Sequence, residues 1–288
     1  MAKLSKETTQ PVDESTALAE VKKAALATMN NMFVADIESN ATGFEDADSN
    51  AYAIPFMQIL QSGSPQCKRS EGEYIAGARE GMFYNTVTQE LFEGEDVVDE
   101  KTGEITKGGI VVIPSHYTQR FIEWQIRESG GGFVAEHKPT DPLIMTTNKD
   151  DRNRDILPNG HALVDTRNHF VLHVKPNGEF TPVVISMSST QLKKSRTWMS
   201  KMQNLKMKVG NKVAAAPMAS HAYRMTTVPE KNEKGTWMGW KIELLEQVSD
   251  PNLYDAAQKF RAAVVKGQAR MQTPPADAGA DISSEEKF

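Results

Sequence analysis

The chain has 288 residues, a formal net charge of −5 and a hydrophobic fraction of 39%. That is enough apolar material for one large or two small folded bodies, while no run approaches the roughly 18 apolar residues needed to cross a bilayer. The lone cysteine, Cys67, excludes an internal disulfide framework, and with no signal-peptide pattern at the amino terminus the sequence predicts a soluble, cytoplasmic protein.

Residues 1–15 are polar. Leu18, Val21, Ala25, Leu26, Met29, Met32 and Phe33 then recur at helical spacing and predict a helix over 16–34, with Thr16 as its N-cap. Residues 36–50 hold five acids and no base and read as a linker. Ala53–Gln61 is a strand candidate with Pro55 near its start. Tyr74–Glu80 reads as a short helix, and 82–92 as a strand or hairpin. An acidic excursion follows over 93–107, with Thr102-Gly103 at its tip. Gly109–Arg127 carries the strongest β signal, with Pro114 as a bend point. Residues 135–162 are polar, hold three prolines and read as a long loop. Asn168–Lys175 and Glu179–Met187 form a hairpin about Pro176-Asn177-Gly178. Ser188 and Gln191 have capping-box spacing before a helix over 189–209. Two strands, 218–228 and 234–247, precede a last helix from Pro251 to about Met271.

This order predicts a β-dominated mixed α/β fold. An OB-fold-like small barrel with an inserted helix suits it, with further helices at both ends. The implied organisation is a flexible region over 1–50, a folded domain over 51–272 and an acidic tail over 273–288.

Charge is distributed unevenly. Between Phe180 and Pro229 there are eight bases and no acid, in a protein that is acidic overall. The bases are Lys193, Lys194, Arg196, Lys201, Lys206, Lys208, Lys212 and Arg224. On a helix over 189–209, Trp198, Met202, Leu205 and Val209 share one face. Lys194, Lys201, Lys208 and Lys212 flank it. Such a rail suits a polyanion and predicts salt-sensitive binding. Single-strand binders add rings on which bases stack. Strict alternation along 109–127 puts Ile110, Val112, Ile122, Trp124 and Ile126 on one face, expected in the core. Tyr117, Gln119, Phe121, Gln125 and Arg127 fall on the other, expected to form a groove. Trp198 is a further stacking candidate. Trp237 and Trp240, three apart, fall on opposite faces of a strand, with at least one in the core.

The chain closes on Asp277, Asp281, Glu285, Glu286, Lys287 and Phe288. Together with the strand-rich body and inserted basic helix, this layout resembles phage T7-type single-stranded DNA-binding proteins over about residues 53–288. The resemblance implies an OB-fold that coats single-stranded DNA in replication and recombination, without catalysis. It also implies a tail, through Asp281, Glu285, Glu286 and Phe288, that competes with DNA and recruits replication proteins. No cofactor or metal is implied. The six histidines are scattered, Cys67 has no partner cysteine, and Gly130-Gly131-Gly132 lacks the following Lys-Ser/Thr of a phosphate loop. A virion component or adaptor whose basic helix meets an acidic partner is the alternative. A nuclease using Asp150, Asp151 and Asp155 is a third reading.

Overall fold

The amino-terminal periodicity forms helix α1 (Glu14–Glu38), built from strong helix formers such as Ala, Leu, Met, Glu and Lys. Leu26, Met32 and Phe33 are exposed on it. The computed structural model describes residues 14–39, 43, 53–98, 101–126, 130–233 and 235–272. The chain divides into two units, Met1–Ala51 and Tyr52–Phe288, and α1 belongs to the first.

In the second unit the first segments are short. They are β1 (Ala53–Ile54), β2 (Met57–Ile59), β3 (Phe83–Asn85), β4 (Leu91–Phe92), β5 (Val97–Val98) and β6 (Ile105–Thr106). Pro55 breaks the first candidate strand in two, because it has no N–H to give a ladder. The predicted helix over 74–80 is absent. Gly77 takes a φ of 87°, and Ala78 N–H bonds Ile75 O as a turn; a left-handed residue in mid-segment stops helix propagation. The acidic excursion is the β5–β6 hairpin.

The main sheet follows. It contains β7 (Ile110–Gln125), β8 (Gly132–His137), β9 (Asn148–Lys149), β10 (Asp155–Ile156), β11 (Ala162–Val174) and β12 (Phe180–Ser188). After helix α2 (Leu192–Asn204) and the hairpin β13 (Lys206–Val209) and β14 (Lys212–Ala215) come β15 (His221–Asn232) and β16 (Gly235–Gln247). Helix α3 (Pro251–Val265) and β17 (Arg270–Met271) are the last elements among the described residues. The long polar loop expected over 135–162 is in part structured, because β8 pairs with the far end of β7.

β7 organises the sheet. It pairs with β11 along its length, with β15 at its start and with β8 at its end. The β11–β12 hairpin turns at 176–178, where Gly178 takes a φ of 86° that other residues resist. β12 then runs beside the 53–59 segment, through a Phe56–Val184 bridge and a bond from Val184 N–H to Pro55 O. At the other end of the sheet, β16 reaches back to the same segment. Gln61 donates from Nε2 to Met238 O and accepts from Met238 N–H on Oε1, both at 2.9 Å. The sheet therefore curls.

The register of β7 overturns its expected alternation. Phe170 pairs with His116 but Val171 with Pro114, so Ser115 is an extra, bulged residue. One inserted residue exchanges the faces of everything beyond it. Ile110 and Val112 thus share a face with Tyr117, Gln119 and Phe121, while Ile122 and Trp124 lie on the other. Both faces are covered. Ile110, Val112, Val171, Ile185 and Tyr223 pack with Trp198 and Met202 of α2. Ile113, Phe170, Leu172 and Val184 pack with Ala257 and Phe260 of α3. Asp250 caps α3 by accepting from Asn252 N–H at 2.8 Å. Among the described residues no helix is long and apolar enough to cross a membrane.

Candidate functional site

The acid-free segment folds as two structures. The expected helix over 189–209 stops at Asn204, where Leu205 turns to extended backbone, and residues 206–215 form a hairpin. Alternation about Gly210-Asn211 is the signal for it. The capping box does not form either. Ser188 makes no side-chain cap bond, and a 3-10 turn at Ser189–Gln191 leads into α2. Gln191 instead donates to Glu230 at 2.9 Å and accepts from Trp240 N–H at 3.1 Å, so tertiary partners displace the local one.

α2 buries Leu192, Ser195, Trp198 and Met202, a stripe at helical spacing. Trp198 is only 1% exposed. Its ring lies 4.5 Å from that of His169 and 5.5 Å from that of Tyr223. It is a core residue, which corrects its expected role as a stacking platform. His169 bonds Ser195 Oγ at 2.8 Å. Complete burial, with Arg167 nearby, pushes its pKa down to about 3, so it is a neutral core imidazole.

The cations separate into two groups. Acids from outside the segment claim Lys194, which pairs with Glu230, and Arg224, which pairs with Asp96. Arg196, Lys201, Lys208 and Lys212 form no ion pair among the described residues. Lys193 is exposed on α2, and Lys206 Nζ donates to Gln203 O at 3.3 Å. The expected single flank is thus shared between helix and hairpin. In the hairpin register Lys206 and Lys208 alternate onto one face, and Lys212, opposite Val209, lies on the other. Arg196 and Lys201 line a groove with Ser200, Asn204, Tyr223 and Leu244.

The expected aromatic groove is only partly open. Tyr117, Gln119 and Phe121 do share a face and are half-buried. However, β11 cross-links Tyr117 and Gln119. Arg167 forms a two-pronged pair with Asp165 at 2.9 and 2.7 Å and donates to Tyr117 Oη at 2.8 Å. Gln119 donates to Asp165 at 3.1 Å. Arg127 and the tail residues Asp281, Glu285, Glu286 and Phe288 lie outside the described residues.

The spacing of the tryptophans on β16 separates their roles. Trp240 is buried and stacked on Phe83 at 5.1 Å. Trp237 is half-buried and donates its indole N–H to Glu230 at 2.8 Å. Glu230 therefore holds Trp237, Gln191 and Lys194 together. Burial works against its ionisation, but bonds from Lys194 and Gln191 keep the carboxyl below its ordinary value. This hub was not legible in the sequence, since its members lie on separate elements. It borders a cleft of about 440 Å³, where Trp237, Trp240 and Met238 meet Gln58, Gln61 and Ser188.

Two of the acids of the third reading are engaged locally. Asp150 is bound by Arg154 Nε at 2.7 Å and by backbone N–H groups of Arg152 and Arg154, and Asp155 pairs with Lys149. No group of three or more His, Cys, Asp or Glu that could hold a metal occurs among the described residues.

A family model described as Pam3 phage gp34-like protein matches residues 21–270. The chain belongs to the Pam3 phage gp34-like family. It is thus a phage protein. The match to this gp34-like family spans α1 from residue 21 onward, the whole curled sheet, α2 and α3. No curated protein matches this gp34-like chain. No solved structure matches it either.

Proposed function

We propose that this phage protein binds single-stranded DNA, coating and protecting it during replication or recombination without catalysing a reaction. The observation that carries the reading is the set of unneutralised cations on α2 and the β13–β14 hairpin. Arg196, Lys201, Lys208 and Lys212 have no carboxylate partner among the described residues, although the chain is acidic overall. Cations left without internal partners favour phosphates, and releasing the counterions of a strand supplies affinity. The curled β-sheet with an inserted helix supports an OB-like reading, and such folds bind single strands along a groove of cations and rings. The tail, through Phe288 and its acids, is proposed to contact replication proteins.

The test is a titration of the full chain against single-stranded DNA, double-stranded DNA and RNA of about 30 nucleotides, at two salt concentrations. Tight binding to single-stranded DNA that weakens steeply with salt is expected. No binding at low salt would overturn the reading. A second reading, an adaptor that meets an acidic protein partner, is favoured by Leu26, Met32 and Phe33, exposed on α1. It predicts a stable protein complex that survives nuclease treatment.

A further inference from the structure

We propose that the cleft between the 56–64 segment and β16 is a nucleobase site, holding one base of a bound strand against Trp237. The proposal rests on the single-strand reading and adds to it where a base goes. The cleft is separate from the cationic groove on α2, since it shares no lining residue with it.

Its size and chemistry select the ligand. About 440 Å³ falls within the range of small-molecule sites, roughly 300–1,000 Å³, and accommodates a nucleoside. Three of the four tryptophans, Trp124, Trp237 and Trp240, line it. Hydroxyls and amides supply the polar lining, no carboxylate is among them, and Lys68 is the one charge. A wall with rings, neutral donors and acceptors and no acid suits a planar, uncharged, hydrogen-bonding group that carries a phosphate outside. Lys68 is exposed and is available to that phosphate.

Two features make the site pre-organised. Trp124 and Trp240 are buried walls, whereas Trp237 is half-buried. The bond from its indole N–H to Glu230 sets the ring's orientation before any ligand arrives, so little side-chain entropy is lost on stacking. In addition, the side chains of Gln58, Ser188 and Thr236 have no hydrogen-bond partner among the described residues. A side-chain amide presents a donor and an acceptor together, the pattern of a base edge. Ser186 and Gln61, by contrast, are already engaged, with Asn168 and Met238.

The experiment compares the full chain's affinity for a thymidine 30-mer with that for an abasic 30-mer carrying the same number of phosphates. Thymidine 5′-monophosphate is titrated in parallel, read by tryptophan fluorescence. Wild type is expected to prefer the base-bearing strand by about tenfold or more, the scale of one aromatic–base stack. Trp237→Leu should remove most of that preference while leaving abasic-strand affinity unchanged. Trp237→Phe should retain part of it. Gln58→Ala, which leaves Trp237 in place, should lower it about threefold and keeps the test decisive if Trp237→Leu does not fold. Equal affinity of wild type for both strands would overturn the base site and leave the DNA-binding reading standing. If neither strand binds, that reading falls. Quenching by the nucleotide that Trp237→Leu abolishes would then still support the site, and no quenching would overturn it.

Discussion

The imidazole of His137 on β8 lies 2.8 Å from the buried carboxylate of Glu123 on β7. Its other ring nitrogen lies 3.1 Å from Asp141. With a carboxylate at each nitrogen, both must donate, so this histidine is held as a cation. Burial alone would lower its pKa, but the bonds to Glu123 and Asp141 raise it above the ordinary value. Glu123 also faces His161 at 2.6 Å and Asn159 at 3.0 Å. Burial opposes its ionisation, yet bonds from His161, Asn159 and His137 hold its pKa down. The cluster pins β8 and the 159–161 turn to the end of β7.

The sign of its pH dependence follows. A raised histidine pKa contributes stability that is complete below about pH 6.5 and is lost as pH rises through the folded value. The depressed Glu123 and Asp141 contribute stability present above about pH 4, lost as pH falls through their folded values. His137→Asn should therefore cost more at pH 5.5, about 2 kcal/mol, than at pH 8.5, about 1 kcal/mol or less. Urea unfolding of both proteins at the two pH values measures this. A cost independent of pH would show that the cation is not what stabilises the cluster.

Charge reversal tests the cationic face most cleanly at Arg196, Lys201 and Lys208. Lys194 is left alone, because Glu230 already holds it and a second carboxylate there would act on stability. The triple Glu variant should bind single-stranded DNA about 100-fold more weakly at low salt, and its salt slope should fall by about 2, near 0.7 per lost phosphate contact. Fluorescence anisotropy across a salt series reads both. An unchanged slope means these side chains do not touch the strand.

Tyr223 carries a buried hydroxyl with no hydrogen-bond partner among the described residues, and burial pushes its pKa up to about 12. Removing an unsatisfied polar atom while keeping the ring should stabilise the fold. Tyr223→Phe is expected to gain about 1 kcal/mol, seen as a higher urea midpoint with an unchanged m-value. A loss of similar size would show that the hydroxyl has a partner in solution.

Gly94 sits where β15 meets the 81–94 segment. Thr227 N–H donates to Gly94 O at 2.9 Å, and Thr227 Oγ1 donates to Gly81 O at 2.8 Å. A Cβ at Gly94 would overlap both the Gly81 carbonyl and the Thr227 hydroxyl. Gly94→Ala should cost about 3 kcal/mol, whereas Gly63→Ala, with open space around it, should cost about 1 kcal/mol at most. Thermal melts of the two variants provide the comparison.

Elements with strong local signals were legible in advance. The long apolar run became β7, Pro176-Asn177-Gly178 became the β11–β12 turn, and α3 starts at Pro251. Each depends on backbone preferences within a few residues. The basic segment is also visible as a charge anomaly, but its form is not. Lys208 and Lys212 lie on a hairpin, because the helix ends at Asn204 and Gly210-Asn211 turns the chain.

Pattern and composition by themselves determined that this is a β-dominated chain with one inserted helix and an acid-free basic stretch. Tertiary structure alone decided which faces and side chains are available. The bulge at Ser115 exchanges the two faces of β7, and alternation carries no record of an inserted residue. Trp198 is sealed between His169 and Tyr223, while Trp237 is held at a cleft by Glu230. Lys194 and Arg224 are neutralised by Glu230 and Asp96. In each case the deciding partner is remote in sequence, and Coulomb attraction and packing act on distance in space.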